Sequence, residues 1–340
     1  MKVALDAFGS DLCPDMEIKA ANEASGQGID VILVGKKDRL KGVSGGVEIV
    51  NANDAVTMDE SPSEALRKKK NASMRVAIDL VRDGKADAVV SAGNSGAMMA
   101  ISMFVLRKLP GVYRPAIVGV LPSYRGYTVF IDMGANVDCK PHYLFQFAIM
   151  GSVYAKKLFN LSSPSVGLLS NGEEEGKGNE LTSATHDLLK KSSLNYKGYV
   201  EGKDIYTGDV DVIVTDGFVG NTVLKASEGV AEMVTKMLKD SFKASPVSML
   251  GYLFSRGAFG RLKKRIDYAE YGGAPLIGIN GLSIITHGRS NEKALLNAMK
   301  LSKRFYEMKL NEAIIEELNR NLAVEGGGSE KVSEGSAKSV

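Results

Sequence analysis

The sequence predicts an α/β fold on a mostly parallel sheet with helices on both faces. Three observations carry this. Short runs rich in Val, Ile and Leu alternate with longer stretches of helical periodicity. Several short runs are apolar at every position, as strands covered on both faces are. No break in composition divides the chain. Such alternation joins parallel strands through right-handed crossovers.

In chain order, Lys2–Leu5 and Val31–Val34 read as the first strands, each a short aliphatic run. Glu64–Arg82 reads as a helix, because Leu66, Met74, Ala77, Ile78 and Val81 fall on a helical repeat. Ala88–Ser91 is the next strand and leads into a second helix. Ala116–Leu121 and Thr128–Ile131 are strands, followed by a helix over Tyr143–Leu158. Strand Ser165–Leu169 and helix Leu181–Lys190 precede strands Tyr196–Val200 and Val212–Thr215. A helix over Thr222–Lys239, strand Leu282–Thr286 and a long helix over Asn291–Leu322 complete the pattern. Residues 326–340 are mostly Gly, Ser, Lys and Glu, with almost nothing to bury, and are expected to form a flexible tail. Residues 1–325 are left as a single α/β catalytic domain.

Composition narrows the function. The 340 residues carry a net charge of +3, which implies no nucleic-acid partner. Tryptophan is absent, against a base-stacking or sugar-stacking surface. Two cysteines, Cys13 and Cys139, do not make a disulfide scaffold and fit a reducing cytoplasm. No charged start leads into an apolar run, and no apolar run is long enough to span a bilayer, so neither a leader nor a spanning helix is expected.

The informative residues follow the strands. Ser91–Gly96, Asp132–Asn136, Ser170–Asn179, Asp216–Asn221 and Thr286–Asn291 are all rich in Gly and Asn. In a parallel sheet such loops converge on one cleft at the strand ends. Gly permits close backbone approach, helix amino ends offer unpaired N–H groups, and Asn orients a ligand without adding charge. Lys177 and Arg289 add positive charge. The expected ligand is a small oxyanion. A Gly-Asn pair taken alone is more often a turn or helix cap.

Other chemistries find little support. The chain has no phosphate loop of the Walker type, no dinucleotide fingerprint after the first strand and no G-x-S-x-G elbow. His142, His186 and His287 lack metal spacing, and Glu173–Glu175 reads as a solvated run rather than a magnesium site, so no metal and no cofactor are expected. Cys139, beside Lys140, reads as packing, with a covalent acyl-enzyme as the alternative.

At these loops the chain resembles the PlsX family of phosphate acyltransferases, which act on acyl carrier protein in bacterial phospholipid synthesis. The resemblance covers roughly residues 1–305. It rests on Ser91–Ala97, Asp132–Pro141, Gly172–Asn179, Asp216–Asn221 and Tyr271–Gly281. The opening differs: where the family reads D-A-M-G-G-D, this chain has Asp6-Ala7-Phe8-Gly9-Ser10-Asp11. The resemblance implies a three-layer α/β/α fold like that of isocitrate and isopropylmalate dehydrogenases, with a mixed, mostly parallel sheet and intertwined subdomains. It further implies a homodimer and the conversion of fatty acyl-ACP and inorganic phosphate to acyl phosphate and free carrier protein.

On that reading Lys177 stabilises phosphate or the oxyanion, and Asn221 donates to the reacting carbonyl. Asn94 and Ser95 hold phosphate. Asn136, Asn280 and His287 rank second, His287 as a proton donor to the leaving thiolate. Asp6, Gly9, Asp132, Gly178, Asn179, Asp216, Gly220 and Asn291 complete the expected binding loops. Arg67–Lys70 and Arg261–Arg265 are the densest basic runs, read as docking faces for acidic carrier protein or as solvated helix faces. Leu250, Leu253, Phe254 and Phe259, in the apolar stretch 246–260, are expected either to contact an anionic membrane peripherally or to line a dimer interface. A downstream membrane glycerol-3-phosphate acyltransferase would then be a neighbour. The alternatives are a coenzyme A-dependent phosphate acyltransferase, a decarboxylating dehydrogenase, and a non-enzymatic acyl-thioester-binding protein.

Overall fold

The computed structural model describes residues 1–266 and 272–329. These form an eleven-stranded mixed sheet with helices on both sides. In its first half, β3 (Val47–Asn51), β2 (Asp30–Gly35), β1 (Lys2–Asp6), β4 (Ala88–Ser91) and β11 (Leu282–Ile285) lie side by side, all parallel. In its second half, β6 (Gly126–Ile131), β9 (Val212–Val214), β7 (Ser165–Leu169) and β8 (Asn195–Val200) are also parallel to one another. Between the halves stand β10 (Ala274–Ile277) and β5 (Ala116–Ser123).

The pairs β11–β10, β10–β5 and β5–β6 are all antiparallel. Three reversals are an odd number, so the second half runs opposite to the first. β1, β4 and β11 end at one edge of the sheet, the first edge. β6, β9 and β7 end at the other, the second edge. Two hairpins cause this: the links from β10 to β11 and from β5 to β6 are too short for a parallel crossover, which takes a dozen or more residues.

The two faces of the sheet carry separate cores. Val3 and Leu5 of β1 point to one face, where they join Phe147, Leu296 and Phe305. Ala4 points to the other, where Met74, Ile78, Met98, Phe130 and Ile213 lie. Adjacent strand residues are thus buried on opposite sides, which is why runs such as Val3–Leu5 are apolar at successive positions.

The helices are α1 (Asp15–Gly26), α2 (Pro62–Lys68), α3 (Ser73–Arg82), α4 (Ser95–Leu106), α5 (Pro141–Phe159), α6 (Glu180–Lys190), α7 (Gly217–Lys243), α8 (Pro246–Ile266), α9 (Glu292–Glu307) and α10 (Leu310–Ser329). The helix expected over Glu64–Arg82 is two helices, with Lys69 in the break turned onto Asp54 (3.0 Å) and Glu60 (3.1 Å). The helix expected over Asn291–Leu322 breaks at Lys309, whose φ is 51°. α7 starts before Thr222 because Asp216 caps it, its Oδ1 accepting the Val219 N–H at 3.0 Å. α10 takes in the first residues of the segment expected as a tail, and 330–340 lie outside the described residues. No residue from Asn221 to Leu262 is buried. Among the described residues no helix is long and apolar enough to cross a membrane.

Candidate active site

The single rim expected of a parallel sheet is divided in two by the strand reversal. Ser91–Gly96 and Thr286–Asn291 emerge at the first edge with the Asp6–Asp11 loop. Asp132–Asn136, Ser170–Asn179 and Asp216–Asn221 emerge at the second. α7 links the groups. Glu232 receives Arg289 of the first group at 3.4 Å, and stands about 16 Å along the helix axis from Asn221 of the second.

At the second edge, Asp132 organises the loop after β6. Its Oδ1 accepts the N–H groups of Ile117 (2.9 Å) and Ala135 (3.0 Å). Its Oδ2 accepts the N–H and the side-chain amide of Asn136, both at 2.8 Å. Burial raises the Asp132 pKa, opposed by these donors. The Asn136 amide also donates to the Pro115 carbonyl (2.8 Å), and the Asn136 carbonyl accepts the Gly217 N–H (2.7 Å). Asp132 and Asn136 are thus the frame that fixes the amino end of α7, with no side-chain atom left to bind an anion. A Cβ on Gly217 would stand 2.6 Å from the Asn136 carbonyl oxygen, and one on Gly220 would collide with the Asp132 carbonyl, so α7 packs on this frame by its glycines.

Two side chains stay open around that frame. Asn221, exposed on the first turn of α7 beside Gly134, makes no side-chain hydrogen bond among the described residues. Lys177, exposed and folded over Gly172, has no carboxylate at salt-bridge distance among them. Its loop is shaped by Gly178, at φ 94°, which donates its N–H to Asn171 Oδ1 at 2.8 Å. Asn179 then caps α6, accepting the Thr182 N–H at 2.9 Å. β7 and β9, which carry Lys177 and Asn221, are neighbours in the sheet. Cys139, just beyond the frame, donates its thiol to the Asn136 carbonyl at 3.4 Å. Burial, with the Asp132 charge, pushes its pKa up to about 12, the wrong direction for a nucleophile.

At the first edge, Asn94 caps α4 through Oδ1 on the Ala97 N–H (3.0 Å). Its amide nitrogen faces the carbonyls of Thr57, Met58 and Glu60 at 3.3, 3.1 and 2.9 Å. One end of the side chain caps α4 and the other holds the 57–60 segment, where an anion ligand was expected. Asn291 likewise caps α9 on Ala294 (3.0 Å). Asp6 is buried with a raised pKa, chiefly from burial, and accepts the Ser91 hydroxyl at 2.7 Å. Gly9 lies against Gly93, where a Cβ would be 2.6 Å from the Gly93 nitrogen. His287 accepts the Arg289 N–H on Nδ1 at 3.1 Å, apart from Lys177. Ser95 is exposed at the head of α4. Asn280 sits in the β10–β11 turn, at the second edge but three strands from β9, where its N–H donates to the Arg107 carbonyl at 2.9 Å.

Sequence reasoning missed Glu17. This α1 residue has no exposure, Oε2 has no hydrogen-bond partner, and burial raises its pKa to about 7. Its Oε1 accepts the Ser10 N–H at 3.3 Å, and the hydroxyls of Ser10 and Ser290, like Oε2, are buried without partners among the described residues. The signal was present: Glu17 shares the buried helix face of Ala20, Ala21 and Ala24.

Of the two basic runs, the first is paired at two of its four cations: Lys68 to Glu64, and Lys69 as above. The second is described only as far as Leu262 in its side chains. On α8, Leu250, Leu253 and Phe254 are 56%, 61% and 83% exposed. Phe259 instead turns inward on Phe242, ring centroids 4.8 Å apart. Tyr271 lies outside the described residues.

A family model described as fatty acid synthesis protein matches residues 1–313. A phosphate acyltransferase of Geotalea uraniireducens is 53% identical over 331 residues, covering 94% of this chain and 95% of its own. One from Geobacter sulfurreducens is 52% identical over 326 residues, covering 94% of each chain. Among solved structures, the EutD phosphotransacetylase of Staphylococcus aureus aligns with a TM-score of 0.58 at 15% identity, covering 89% of this chain and 93% of its own. A branched-chain phosphotransacylase from Enterococcus faecalis aligns at 0.56 and 15% identity, covering 89% and 98%. At such identity these structures speak for the fold alone.

Proposed function

This chain belongs to the PlsX family of fatty acid synthesis proteins and is a phosphate acyltransferase, and from that premise we propose that it converts fatty acyl-ACP and inorganic phosphate to acyl phosphate and free carrier protein for phospholipid synthesis. The observation that carries the reading is the amino end of α7. A rigid Asp132–Asn136–Gly217 frame holds a helix terminus beside Asn221 and Lys177, whose side-chain polar groups have no partner among the described residues. Helix amino ends and a lysine suit a dianion, and an uncharged amide suits a carbonyl that becomes an oxyanion.

Phosphate is a competent nucleophile at neutral pH, so the site's work is positioning and charge stabilisation. A phosphate oxygen attacks the thioester carbon, the C–O bond forms and the C–S bond breaks. The proton of hydrogen phosphate ends on the departing thiol, which balances the step without a metal or a thiol nucleophile. Lys177 holds the phosphate, and Asn221 donates to the carbonyl oxygen.

The two loop groups become one site in a homodimer. Val219, Val223, Val230, Met233 and Met237 recur at spacings of three, four and seven along one stripe of α7, and the last three are 53–61% exposed. An antiparallel pairing of two such stripes about their midpoint sets Asn221 of the partner subunit near residue 235, beside Glu232 and Arg289. Leu250, Leu253 and Phe254 of α8 then remain for peripheral contact with an anionic membrane, where a glycerol-3-phosphate acyltransferase would take the product.

The test is thiol release from acyl-ACP with and without phosphate, with acyl phosphate followed by phosphorus NMR. Release that ignores phosphate ends the proposal. Liposome flotation of Leu253→Glu with Phe254→Glu tests the membrane contact; unchanged partitioning rejects it.

A further inference from the structure

We propose that the second edge of the sheet carries the docking surface for the acidic carrier protein, centred on Arg107 and Arg114. The proposal rests on the carrier-protein reading above and assigns the partner a place on the molecule.

Four helix and strand termini bring cations to this edge. α3 ends in Arg82, itself paired with Asp79 (2.7 Å) and Asp83 (2.8 Å), α4 runs out into Arg107 and Lys108, β5 is preceded by Arg114, and α5 by Lys140. Arg107, Lys108, Arg114 and Lys140 are exposed, and none has a carboxylate at salt-bridge distance among the described residues. Lys108 Nζ donates to the Tyr113 carbonyl (3.0 Å), and the Arg114 guanidinium lies 5.7 Å from the Tyr143 ring centroid. Neither arrangement neutralises charge. The basic runs seen in the sequence differ in this respect, since Lys68 and Lys69 already face carboxylates.

The same edge offers an apolar anchor. A groove of about 720 Å³ opens between α3, α4 and the β10–β11 turn. Phe104, 64% exposed, stands in its wall with the Arg75 guanidinium 5.9 Å from the ring centroid. Arg75 and Arg82 in this groove are paired with Asp79 and Asp83, and Arg107 is not. An exposed aromatic beside that uncompensated cation suits a partner with acidic side chains around a small apolar patch. A polar anionic ligand alone would leave Phe104 without a role.

The groove is also placed to deliver substrate. From β10 to β9, at whose end α7 begins, is three strand spacings, about 15 Å. Buried contacts bridge that span: Gly278 packs against Val112 and Pro115, and Pro115 takes the Asn136 amide of the frame under α7. A carrier seated at Arg107 has its thioester arm reaching along this edge toward Asn221.

The experiment measures binding of fluorescently labelled acyl carrier protein to the full-length enzyme by anisotropy, and turnover of acyl-ACP against a short acyl-pantetheine thioester. Arg107→Glu with Arg114→Glu is expected to weaken carrier binding at least tenfold and to flatten its salt dependence. Turnover of acyl-pantetheine stays within twofold of wild type. Phe104→Ser, which leaves all charges in place, is expected to weaken carrier binding without altering the salt slope. Carrier binding unchanged in both variants overturns the proposal, as does loss of binding to phosphatidylglycerol vesicles with carrier binding intact. A wild-type enzyme that turns over acyl-pantetheine but neither binds nor uses acyl-ACP overturns the carrier reading, and this surface with it.

Discussion

Asn94→Ala separates a clamp from a phosphate ligand. The substitution removes the α4 cap, worth about 1 kcal/mol. It also removes an amide that faces three carbonyls between 2.9 and 3.3 Å. Two hydrogens satisfy at most two of these, at a net of about 1 kcal/mol each. The sum is about 2–3 kcal/mol. An unfolding entropy of about 2.1 cal/mol/K per residue over 340 residues turns this into a fall in Tm of about 3–4 °C. Asn94→Asp keeps the capping oxygen but aims a carboxylate oxygen at the carbonyls, and is expected to fall at least as far. Thermal unfolding and the phosphate KM are measured together. The clamp predicts lower Tm with the phosphate KM within about twofold. An unchanged Tm with a phosphate KM raised tenfold or more would refute the reasoning and return Asn94 to the ligand role.

Lys177→Ala and Asn221→Ala are each expected to lower kcat by about 10²–10³ with Tm unchanged, since neither side chain has a polar partner among the described residues; near-normal turnover in both removes them from the mechanism. Glu17 binds a proton in the folded protein up to about pH 7, while its ordinary value is 4.5. Its contribution to stability is therefore full below about pH 4.5 and is lost as pH rises through 7. Glu17→Gln should be more stable than wild type at pH 8, by at most about 3 kcal/mol, and an identical pH–stability slope in the two proteins counts against this. Cys139→Ser is expected to keep turnover within about threefold and no acyl group should appear on the wild-type thiol; an acylated Cys139 in the mass spectrum would overturn the direct attack. Mixing Lys177→Ala with Arg289→Glu subunits should restore about a quarter of wild-type activity by subunit exchange, whereas no recovery speaks against a shared site.

Much of the sheet was legible because burial on both faces leaves a plain mark. Val31–Val34 and Val212–Thr215 are apolar at nearly every position, and the strands expected there are found, whereas the edge strand β3 (Val47–Asn51), mostly unburied, carries Glu48 and Asn51 and was not read as one. Direction was harder. The short link between Leu121 and Thr128 held the clue to one reversal, while β10 went unseen inside a Gly-rich block, and without β10 the odd number of reversals could not be counted. The site divided along the same line. Gly-Asn loops mark helix starts, and Asn94, Asn179 and Asn291 are caps because an Asn oxygen satisfies the free amide two or three residues on. Asp132 was found for its place in the loop, but its role also needs the Ile117 donor on β5, a sequence position the loop itself does not reveal. Asn221 and Lys177 are set apart only by what they do not bind inside the fold, a property no single sequence displays.

The hairpin of β10 and β11 has a consequence for biosynthesis. β4 pairs with β1 on one side and with β11 on the other, and the Thr286 N–H that extends this seam reaches the Ser91 carbonyl at 2.9 Å across most of the chain. While residues 92–281 are being translated, roughly 10–40 s at ordinary elongation rates, one side of β4 has no partner. That uncovered strand is short and apolar but for Ser91, the kind of surface that sticks to other nascent chains. Ribosome-bound intermediates truncated before Leu282 should therefore recruit chaperones, and release from them should coincide with emergence of the hairpin from the exit tunnel.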